Sequence, residues 1–246
     1  MLELEDVTVR FGEVTAVNGV SLTVAEGELL MLLGGSGSGK TTTLETINRL
    51  VEPTSGVIRL DGEDVRDLVP HALRRRIGYC FQGVGLFAHM TVAENVGITP
   101  RLLGWPPARI VKRVTELLEM VELPPTEYAG RMPGELSGGQ AQRVGVARAL
   151  AADPQLVLFD EPFGALDPVT RENLQASFTA LRRELGMTGV FVTHDVLEAL
   201  ALGDRIAVMH EGSLAAIGTP EALRESEHPY VQQLLDAPRR ALGALG

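Results

Sequence analysis

The sequence predicts an α/β fold with a mainly parallel sheet, an antiparallel β subdomain and an inserted helical subdomain. Three patterns support this prediction: apolar runs that alternate with helical periodicity, a strand-like N-terminal region, and a central stretch of helical spacing. The apolar runs are candidate parallel strands, because buried strands are short, rich in branched residues and separated by helices. They lie at 29–33, 77–81, 156–159, 190–193 and 206–209.

The two subdomains are predicted from a change of pattern. Apolar and polar residues alternate in the first 28 residues and at 57–60, as in half-buried antiparallel strands. Helical spacing without a convincing strand, broken by Pro/Gly-rich joints, marks approximately 84–150 as the helical subdomain. The rest, approximately 1–83 and 151–246, forms the core of a single domain, since no linker is long enough to separate independent domains.

Composition excludes several classes of function. The net charge is −10, whereas a protein that holds nucleic acid by neutralising its phosphates needs a basic surface. The single cysteine, Cys80, leaves no internal disulfide and fits a reducing compartment. The sequence shows neither 18 consecutive apolar residues nor a signal peptide. We therefore expect a cytoplasmic protein without a nucleic-acid partner, which reaches a membrane only through another subunit.

Residues 34–41, GGSGSGKT, match the phosphate-binding pattern G-x-x-x-x-G-K-[ST] between a buried strand and a helix. The glycines allow a tight turn close to phosphate oxygens, and the helix N-terminus adds a favourable dipole. Lys40 would reach the β- and γ-phosphates, and Thr41 would bind Mg²⁺. A flexible linker would need neither the lysine nor the flanking elements. The pattern thus predicts a P-loop NTPase core. The predicted nucleotide-binding residues are Gly34, Gly35, Ser36, Gly37, Ser38, Gly39, Lys40, Thr41 and Thr42.

Two carboxylates follow the predicted strand at 156–159. Asp160 suits a role beside Mg²⁺, and Glu161 suits a general base that orients and deprotonates water in line with the γ-phosphate. An acidic turn at a strand end is the structural alternative. His194 also follows a predicted strand, at the edge where such sheets bind ligands, and is predicted to contact the γ-phosphate. A solitary histidine at a loop edge is otherwise often structural.

The stretch LSGGQ at 136–140 predicts a second anion site. Ser137 and Gln140 fit a capping box ahead of a helix, which is a sufficient structural reason for both. Capping does not explain Gly138 and Gly139, because glycine destabilises a first helical turn unless something must approach the backbone closely. A helix N-terminus with a hydroxyl and two bare amides is suited to binding an anion.

Six motifs together resemble those of the ATPase subunit of ATP-binding cassette (ABC) transporters, over essentially the whole chain. In order they are GGSGSGKT (Walker A), CFQ (Q-loop), LSGGQ (signature), LVLFDE (Walker B), GALD (D-loop) and VTHD (switch histidine). The resemblance implies an ATPase that binds two ATP molecules head to tail between two copies of the chain. In that arrangement Ser137, Gly138, Gly139 and Gln140 of one copy contact the γ-phosphate bound by Lys40 of the other.

The resemblance implies roles for four further residues. Gln82 would contact Mg²⁺ and the attacking water, and Asp167 would link the two sites of the dimer. Phe11 would stack on adenine, with Val17 supporting the same surface. Two of them have structural alternatives: Asp167 also suits the N-cap of a helix opened by Pro168, and an aromatic side chain in a strand turn is often ordinary core.

Finer features resemble the ATPases of importers for osmoprotectants such as glycine betaine, choline and carnitine. They lie at 47–56, 85–96, 100–105 and 160–175. The implied partners are a second copy, permease subunits whose helix would fit a groove lined by the residues after Gln82, and indirectly an extracytoplasmic substrate-binding protein. The implied location is the cytoplasmic side of the cell membrane. The alternatives are an importer ATPase for amino acids or another small solute, a non-transport cassette ATPase, and a nucleotide kinase.

Several features depart from that group. Gly35 stands where the group usually has proline, which should loosen the phosphate loop without removing a phosphate ligand. Gly83 and Ala88 replace a glutamine and a proline that are common after the Q-loop, which could alter the fit to the permease. The sequence stops at residue 246 without the paired regulatory domains that many osmoprotectant ATPases carry. We therefore expect no sensing of ionic strength through such domains.

Overall fold

The computed structural model describes residues 1–82, 85–164 and 166–243. The chain forms two compact units. The first unit comprises Met1–Leu73 and the chain from Thr188 onward, and the second comprises Arg74–Met187. The predicted limits of the helical subdomain are not tested by this division and stay a prediction.

The strands and helices of the described ranges have the following bounds. The strands are β1 (Leu2–Phe11), β2 (Val14–Val24), β3 (Leu29–Leu33), β4 (Ser55–Leu60), β5 (Glu63–Asp64), β6 (Ile77–Cys80), β7 (Leu156–Asp160), β8 (Gly189–Thr193), β9 (Arg205–His210) and β10 (Ser213–Gly218). The helices are α1 (Lys40–Ile47), α2 (Pro70–Arg76), α3 (Val92–Leu102), α4 (Pro107–Met120), α5 (Pro125–Tyr128), α6 (Gly138–Leu150), α7 (Pro168–Leu185), α8 (Val196–Leu202), α9 (Pro220–Arg224) and α10 (Pro229–Gly243). Every predicted parallel strand is present, with ends that differ by at most one residue.

The first unit contains the predicted antiparallel sheet, in the order β2-β1-β4-β5. Leu2 pairs with Val24 on one side and with Leu60 on the other, and all three side chains are fully or almost fully buried. This burial follows from the alternating pattern, because every second residue of a strand faces the same side. Register shifts interrupt the pairing of β1 with β2 after Leu4, Val7 and Val9.

Parallel strands of the first unit end at one common edge. The strand β3 pairs in parallel with both β8 and β9, and β10 extends β9 in the antiparallel direction. All five residues of β3 are buried, as expected for a central strand of a parallel sheet. Leu33 pairs with Thr193 and also with Val208. The residues that follow β3 and β8 therefore leave the sheet at the same edge.

The second unit combines a parallel strand pair with packed helices. The strands β6 and β7 run in parallel, with Cys80 opposite Phe159. Between residues 85 and 150 the structure shows helices and no strand, as predicted, and Val96, Leu118 and Val144 are fully buried. Cys80 lies in this core, where burial raises the pKa of its thiol to about 12. Such a thiol stays protonated and acts as a small apolar side chain.

Aromatic packing holds α7 in the second unit. Phe178 meets Phe159 and Phe163 edge to face, at centroid distances of 5.2 and 5.9 Å. All three rings are almost completely buried. Across the described parts of the chain, every helix is too short or too polar to pass through a lipid bilayer.

Candidate functional site

The loop between β3 and α1 closes around the ammonium group of Lys40. This side chain is only 6% exposed, and its Nζ donates to the carbonyl oxygens of Gly34 and Gly35, each at 2.8 Å. A longer contact of 3.4 Å joins Nζ to Ser38 Oγ. The loop thus holds a positive charge at its centre, where a buried cation favours binding of an anion.

The backbone itself requires two of the loop glycines. A Cβ on Gly34 would lie 2.3 Å from the carbonyl oxygen of Met209, and one on Gly39 would lie 2.5 Å from that of Ala16. Gly39 also has a φ of +96°, a conformation that residues with side chains rarely adopt. Gly37, at φ +75°, has open space where a Cβ would lie. The close passage of neighbouring strands and the turn therefore fix the loop shape.

The N-terminus of α1 is suited to binding phosphate. Gly39 is its N-cap, and in the described structure no side chain caps this end and no acidic residue lies in the first turn. The first N–H groups of a helix have no partner within the helix, and the helix dipole favours an anion there. With Lys40, Thr41 and Thr42 in this turn, the donors present fit the phosphates of a nucleotide.

His194 lies at the same edge of the sheet as the phosphate loop. Leu33 pairs with Thr193, so Gly34 and His194 each follow one member of a pair. The turn after β8 is fixed, because Thr193 Oγ1 accepts from the Asp195 N–H at 3.0 Å and Asp195 caps α8. The His194 side chain is exposed. It is therefore accessible to a ligand at this edge.

Phe11 and Val17 differ in what they can offer a ligand. Phe11 is 53% exposed at the end of β1, so it is not a core residue. Val17 pairs with Val9 in the antiparallel sheet and is fully buried. The structure thus leaves the Phe11 ring available for stacking on a ligand. Val17 can support β2 only by packing, because it has no exposed surface that a ligand could contact.

In the second unit, Gln82 and Glu161 lie side by side. Gln82 and Glu161 each lie two residues beyond Cys80 and Phe159, which are paired in the parallel strands. Gln82 Nε2 donates to Glu161 Oε2 at 3.4 Å. Asp160, the last residue of β7, is buried at 3% exposure. The structure thus brings the carboxylates of Asp160 and Glu161 and the amide of Gln82 to the end of one strand pair.

Glu161 is held in a strained backbone conformation. Its φ is +47°, in the left-handed region that is costly for a residue with a side chain, by about 1–3 kcal/mol. Gln142 Nε2 donates to the Glu161 carbonyl oxygen at 2.9 Å, and Gln142 is itself buried. Sequence reasoning missed Gln142. The signal that could have revealed Gln142 was a polar residue two positions after Gln140, on a helix whose other buried residues are apolar.

The capping box predicted before α6 is present. Ser137 Oγ accepts from the Gln140 N–H at 3.2 Å, and Gln140 Oε1 accepts from the Ser137 N–H at 2.9 Å. Gln140 Nε2 also contacts Tyr128 Oη at 3.1 Å, a partner that the sequence did not reveal. A Cβ on Gly138 would meet nothing within 4 Å. The fold of this chain therefore does not require glycine at position 138.

Asp167 is the N-cap of α7, as predicted. Its carboxylate accepts from the Thr170 N–H at 3.0 Å, and hydrogen bonding to Thr170 lowers the pKa of this carboxyl group. Two other positions that the sequence analysis named lie outside the described residues: Gly83, and Ala165 within the GALD motif.

The candidate magnesium ligands are oxygen donors, which Mg²⁺ prefers. They are the Thr41 hydroxyl in the first unit and the Asp160 carboxylate and Gln82 amide in the second. No three His, Cys, Asp or Glu side chains gather as a metal cluster in the described ranges. Hydroxyl, carboxylate and amide oxygens of this kind suit an ion that takes one or two protein carboxylates together with phosphates and water.

A phosphate loop before a helix and an acidic strand end in an α/β fold define a P-loop nucleotide-binding protein. The chain belongs to the ABC transporter family, because residues 17–164 match that family. It is 50% identical over 241 residues to the glycine betaine/carnitine/choline transport ATP-binding protein OpuCA of Bacillus subtilis (strain 168), covering 97% of this chain and 63% of that protein. It is 51% identical over 234 residues to the glycine betaine uptake system ATP-binding protein YehX of Escherichia coli (strain K12), covering 95% of this chain and 76% of that protein.

A solved structure shares the fold. It is the dimeric, post-hydrolysis ATP-binding cassette MJ0796 bound to ADP and Pi. The TM-score is 0.82 and the sequence identity 36%, over 89% of this chain and 99% of that one. The predicted fold class and the resemblance to ABC transporter ATPases are thereby confirmed. The chain spans 63% of the length of OpuCA.

Proposed function

We propose that this protein binds and hydrolyses ATP with Mg²⁺ to drive a membrane importer for quaternary ammonium osmoprotectants. The observation that carries the proposal is the phosphate loop closed around Lys40, at a helix N-terminus that no side chain of the described residues caps. The names of OpuCA and YehX support the assignment of osmoprotectants as the cargo, because both names include glycine betaine transport or uptake. The alternative cargo, an amino acid or another small solute, uses the same ATPase chemistry.

In nucleotide binding, each residue of the first unit has a distinct role. The amides of the first turn of α1 and the Lys40 ammonium neutralise phosphate charge, while the glycines keep side chains away from the phosphates. The exposed ring of Phe11 stacks on adenine, and His194 contacts the γ-phosphate. Thr41, Asp160 and Gln82 would hold Mg²⁺, which when bound would offset negative charge on the phosphates.

In hydrolysis, Glu161 is the general base. The hydrogen bond from Gln142 to its carbonyl oxygen keeps the backbone in the strained conformation. The hydrogen bond from Gln82 orients its carboxylate. A base fixed in this way loses little entropy when it receives the proton of the attacking water. Gln82 thus aligns Glu161 as well as binding Mg²⁺.

A second copy of the chain completes the proposed site. The dimeric state of MJ0796 supports this arrangement. Ser137, Gly138, Gly139 and Gln140 then contact the γ-phosphate held by the other copy, and Asp167 links the two sites. Permease subunits bind the dimer on the cytoplasmic side of the membrane, and an extracytoplasmic substrate-binding protein acts through the permease. Nucleic acid has no part in this function.

The catalytic test is Glu161→Gln. It should retain ATP binding, lower turnover by about 10²- to 10⁴-fold and trap an ATP-bound dimer, because the amide cannot accept the proton. Glu172→Gln, on the exposed face of α7, is the matched control and should turn over normally. ATPase rates, equilibrium ATP binding and size-exclusion chromatography measure the three quantities. Near-normal turnover in Glu161→Gln would remove Glu161 as the base.

The cargo test uses the assembled transporter. We expect the ATPase activity of the chain, co-purified with its permease, to rise when a binding protein loaded with betaine, choline or carnitine is added. Stimulation by a loaded amino-acid-binding protein instead would establish the alternative cargo. No response to any of the three osmoprotectants would end their assignment.

A further inference from the structure

Gly35 is bound by a side chain from a distant part of the first unit. Its backbone N–H donates to the hydroxyl of Tyr230 at 3.0 Å, across 195 positions of sequence. Its carbonyl oxygen accepts from Lys40 Nζ at 2.8 Å. One residue of the phosphate loop, Gly35, therefore connects the Tyr230 phenol to the ammonium group.

The position of Tyr230 is set by packing outside the loop. It is the second residue of α10, and its ring stacks on His210 with centroids 3.8 Å apart and an interplanar angle of 21°. His210 ends β9 directly after Met209, whose carbonyl oxygen is the close neighbour of Gly34. The strand that limits the space at Gly34 thus also places the Tyr230 ring. The hydroxyl is presented to the loop in a defined position.

At position 35 the backbone N–H is used as a donor, and there is little room for a Cβ. Proline has no backbone N–H, so it would leave the Tyr230 hydroxyl without this donor. A Cβ at position 35 would lie 3.3 Å from Tyr230 Oη, closer than most such contacts. Glycine provides the donor and leaves the space. Gly35 and Tyr230 are thus matched to each other in this chain, which gives a physical reason for the departure from proline.

We propose that Tyr230 is a positioning residue for the phosphate loop, which holds the Gly35 peptide and thereby aligns Lys40 for the nucleotide. The inference rests on the proposed ATP-binding function. Tyr230 acts through Gly35 and does not itself contact phosphate. A part-buried hydrogen bond of ordinary strength corresponds to a change of about three- to tenfold in affinity. The α10 helix is therefore coupled to the nucleotide site.

The first test is Tyr230→Phe, which removes the hydroxyl and retains the ring that stacks on His210. In nucleotide-free protein, we expect exchange of the Gly35 amide hydrogen, measured by NMR, to become about three- to tenfold faster. The Kd and KM for ATP should rise by a similar factor, about three- to tenfold, while kcat at saturating ATP stays unchanged. A purely structural role would instead lower the melting temperature and leave the Gly35 amide unaffected.

Gln232→Ala is the control within the same helix. Its side chain donates to the Ser226 carbonyl oxygen at 3.1 Å and makes no bond to the phosphate loop. The substitution should leave Gly35 exchange and ATP affinity unchanged. An equal response in both variants would mean that loosening of α10, and not the Tyr230 hydroxyl, affects the loop, and would overturn the proposal.

A double-mutant cycle isolates the hydrogen bond. Gly35→Pro removes the donor, so adding Tyr230→Phe to it should cause no further loss of ATP affinity. Gly35→Ala keeps the donor, and in that background Tyr230→Phe should still weaken binding. Additive effects of Gly35→Pro and Tyr230→Phe would show that the two positions act independently, and would overturn the proposal.

The two proposals fail in different ways. If the wild-type protein does not bind ATP, the proposed function is wrong, whereas faster Gly35 exchange in Tyr230→Phe still supports Tyr230 as the residue that positions the loop. If Lys40→Ala loses ATP binding but Tyr230→Phe changes neither exchange nor affinity, the function stands and the role of Tyr230 is refuted.

Discussion

Two helix N-termini, that of α1 in the first unit and that of α6 in the second, are both rich in glycine but differ in their construction. At α1 the end has no side-chain cap among the described residues, and Gly34 and Gly39 are required by close backbone neighbours. At α6 the end is closed by Ser137 and Gln140, and glycine at 138 is not required. Backbone neighbours require glycine in the α1 loop, whereas at α6 the described structure has no neighbour that requires glycine at 138.

The largest effect is expected at Gly39. Gly39→Ala places a Cβ 2.5 Å from the Ala16 carbonyl oxygen at φ +96°. The conformational strain alone is about 1–3 kcal/mol, and the collision adds to it. We expect a lower melting temperature and loss of ATP affinity, measured by thermal unfolding and equilibrium binding. Gly37→Ala is the control, because φ is also positive there but a Cβ meets nothing. Equal effects of the two would contradict a role for the Ala16 contact.

Gly138→Ala should separate stability from activity. Alanine favours a helix over glycine by about 1 kcal/mol at most positions, and a Cβ at 138 has open space. We expect the free energy of unfolding to rise slightly, while ATPase activity falls by about tenfold or more because the methyl group obstructs a close approach to the backbone. Chemical denaturation and turnover measure the two. Full activity would show that nothing approaches this glycine.

Ser137→Ala should remove the cap of α6. The expected loss is about 1 kcal/mol of unfolding free energy, since the Gln140 N–H loses its acceptor. Ser137→Asp should restore the cap and the stability but not the ATPase activity, because its carboxylate repels phosphate. Thr219→Ala, at the N-cap of α9, is the control. It should lower the unfolding free energy by a similar amount and leave the ATPase turnover unchanged. Active Ser137→Asp would argue against an anion at this end.

The smallest effect is expected at Asp167, whose carboxylate caps the N-terminus of α7. Hydrogen bonds from Thr170 lower the pKa of this carboxyl group below its ordinary value of 3.8. A carboxyl with a depressed folded pKa stabilises the fold fully above its unfolded pKa, and this contribution is lost as pH falls through the folded pKa. Asp167→Asn should flatten the acid side of the melting-temperature curve below about pH 4. An unchanged curve would contradict the cap as the cause.

Local features were predictable because their causes lie within a few residues. The capping box joins Ser137 to Gln140 and the N-cap joins Asp167 to Thr170, both within one helical turn. The strand β3 is identified by five consecutive apolar residues. The pairing of Gln82 with Glu161 was not visible in the sequence, because 79 positions separate them and parallel register alone places them together.

The sequence by itself determined the phosphate loop, the capped helices, the acidic strand end and the family. These depend on short spacings, which backbone geometry converts directly into turns and helix ends. Only the tertiary structure decided that Val17 is fully buried, that Gln142 holds the strained Glu161, and that Gly35 donates to Tyr230. Each of these depends on which strand or helix packs against which, and pairing between distant segments leaves no fixed spacing in the sequence.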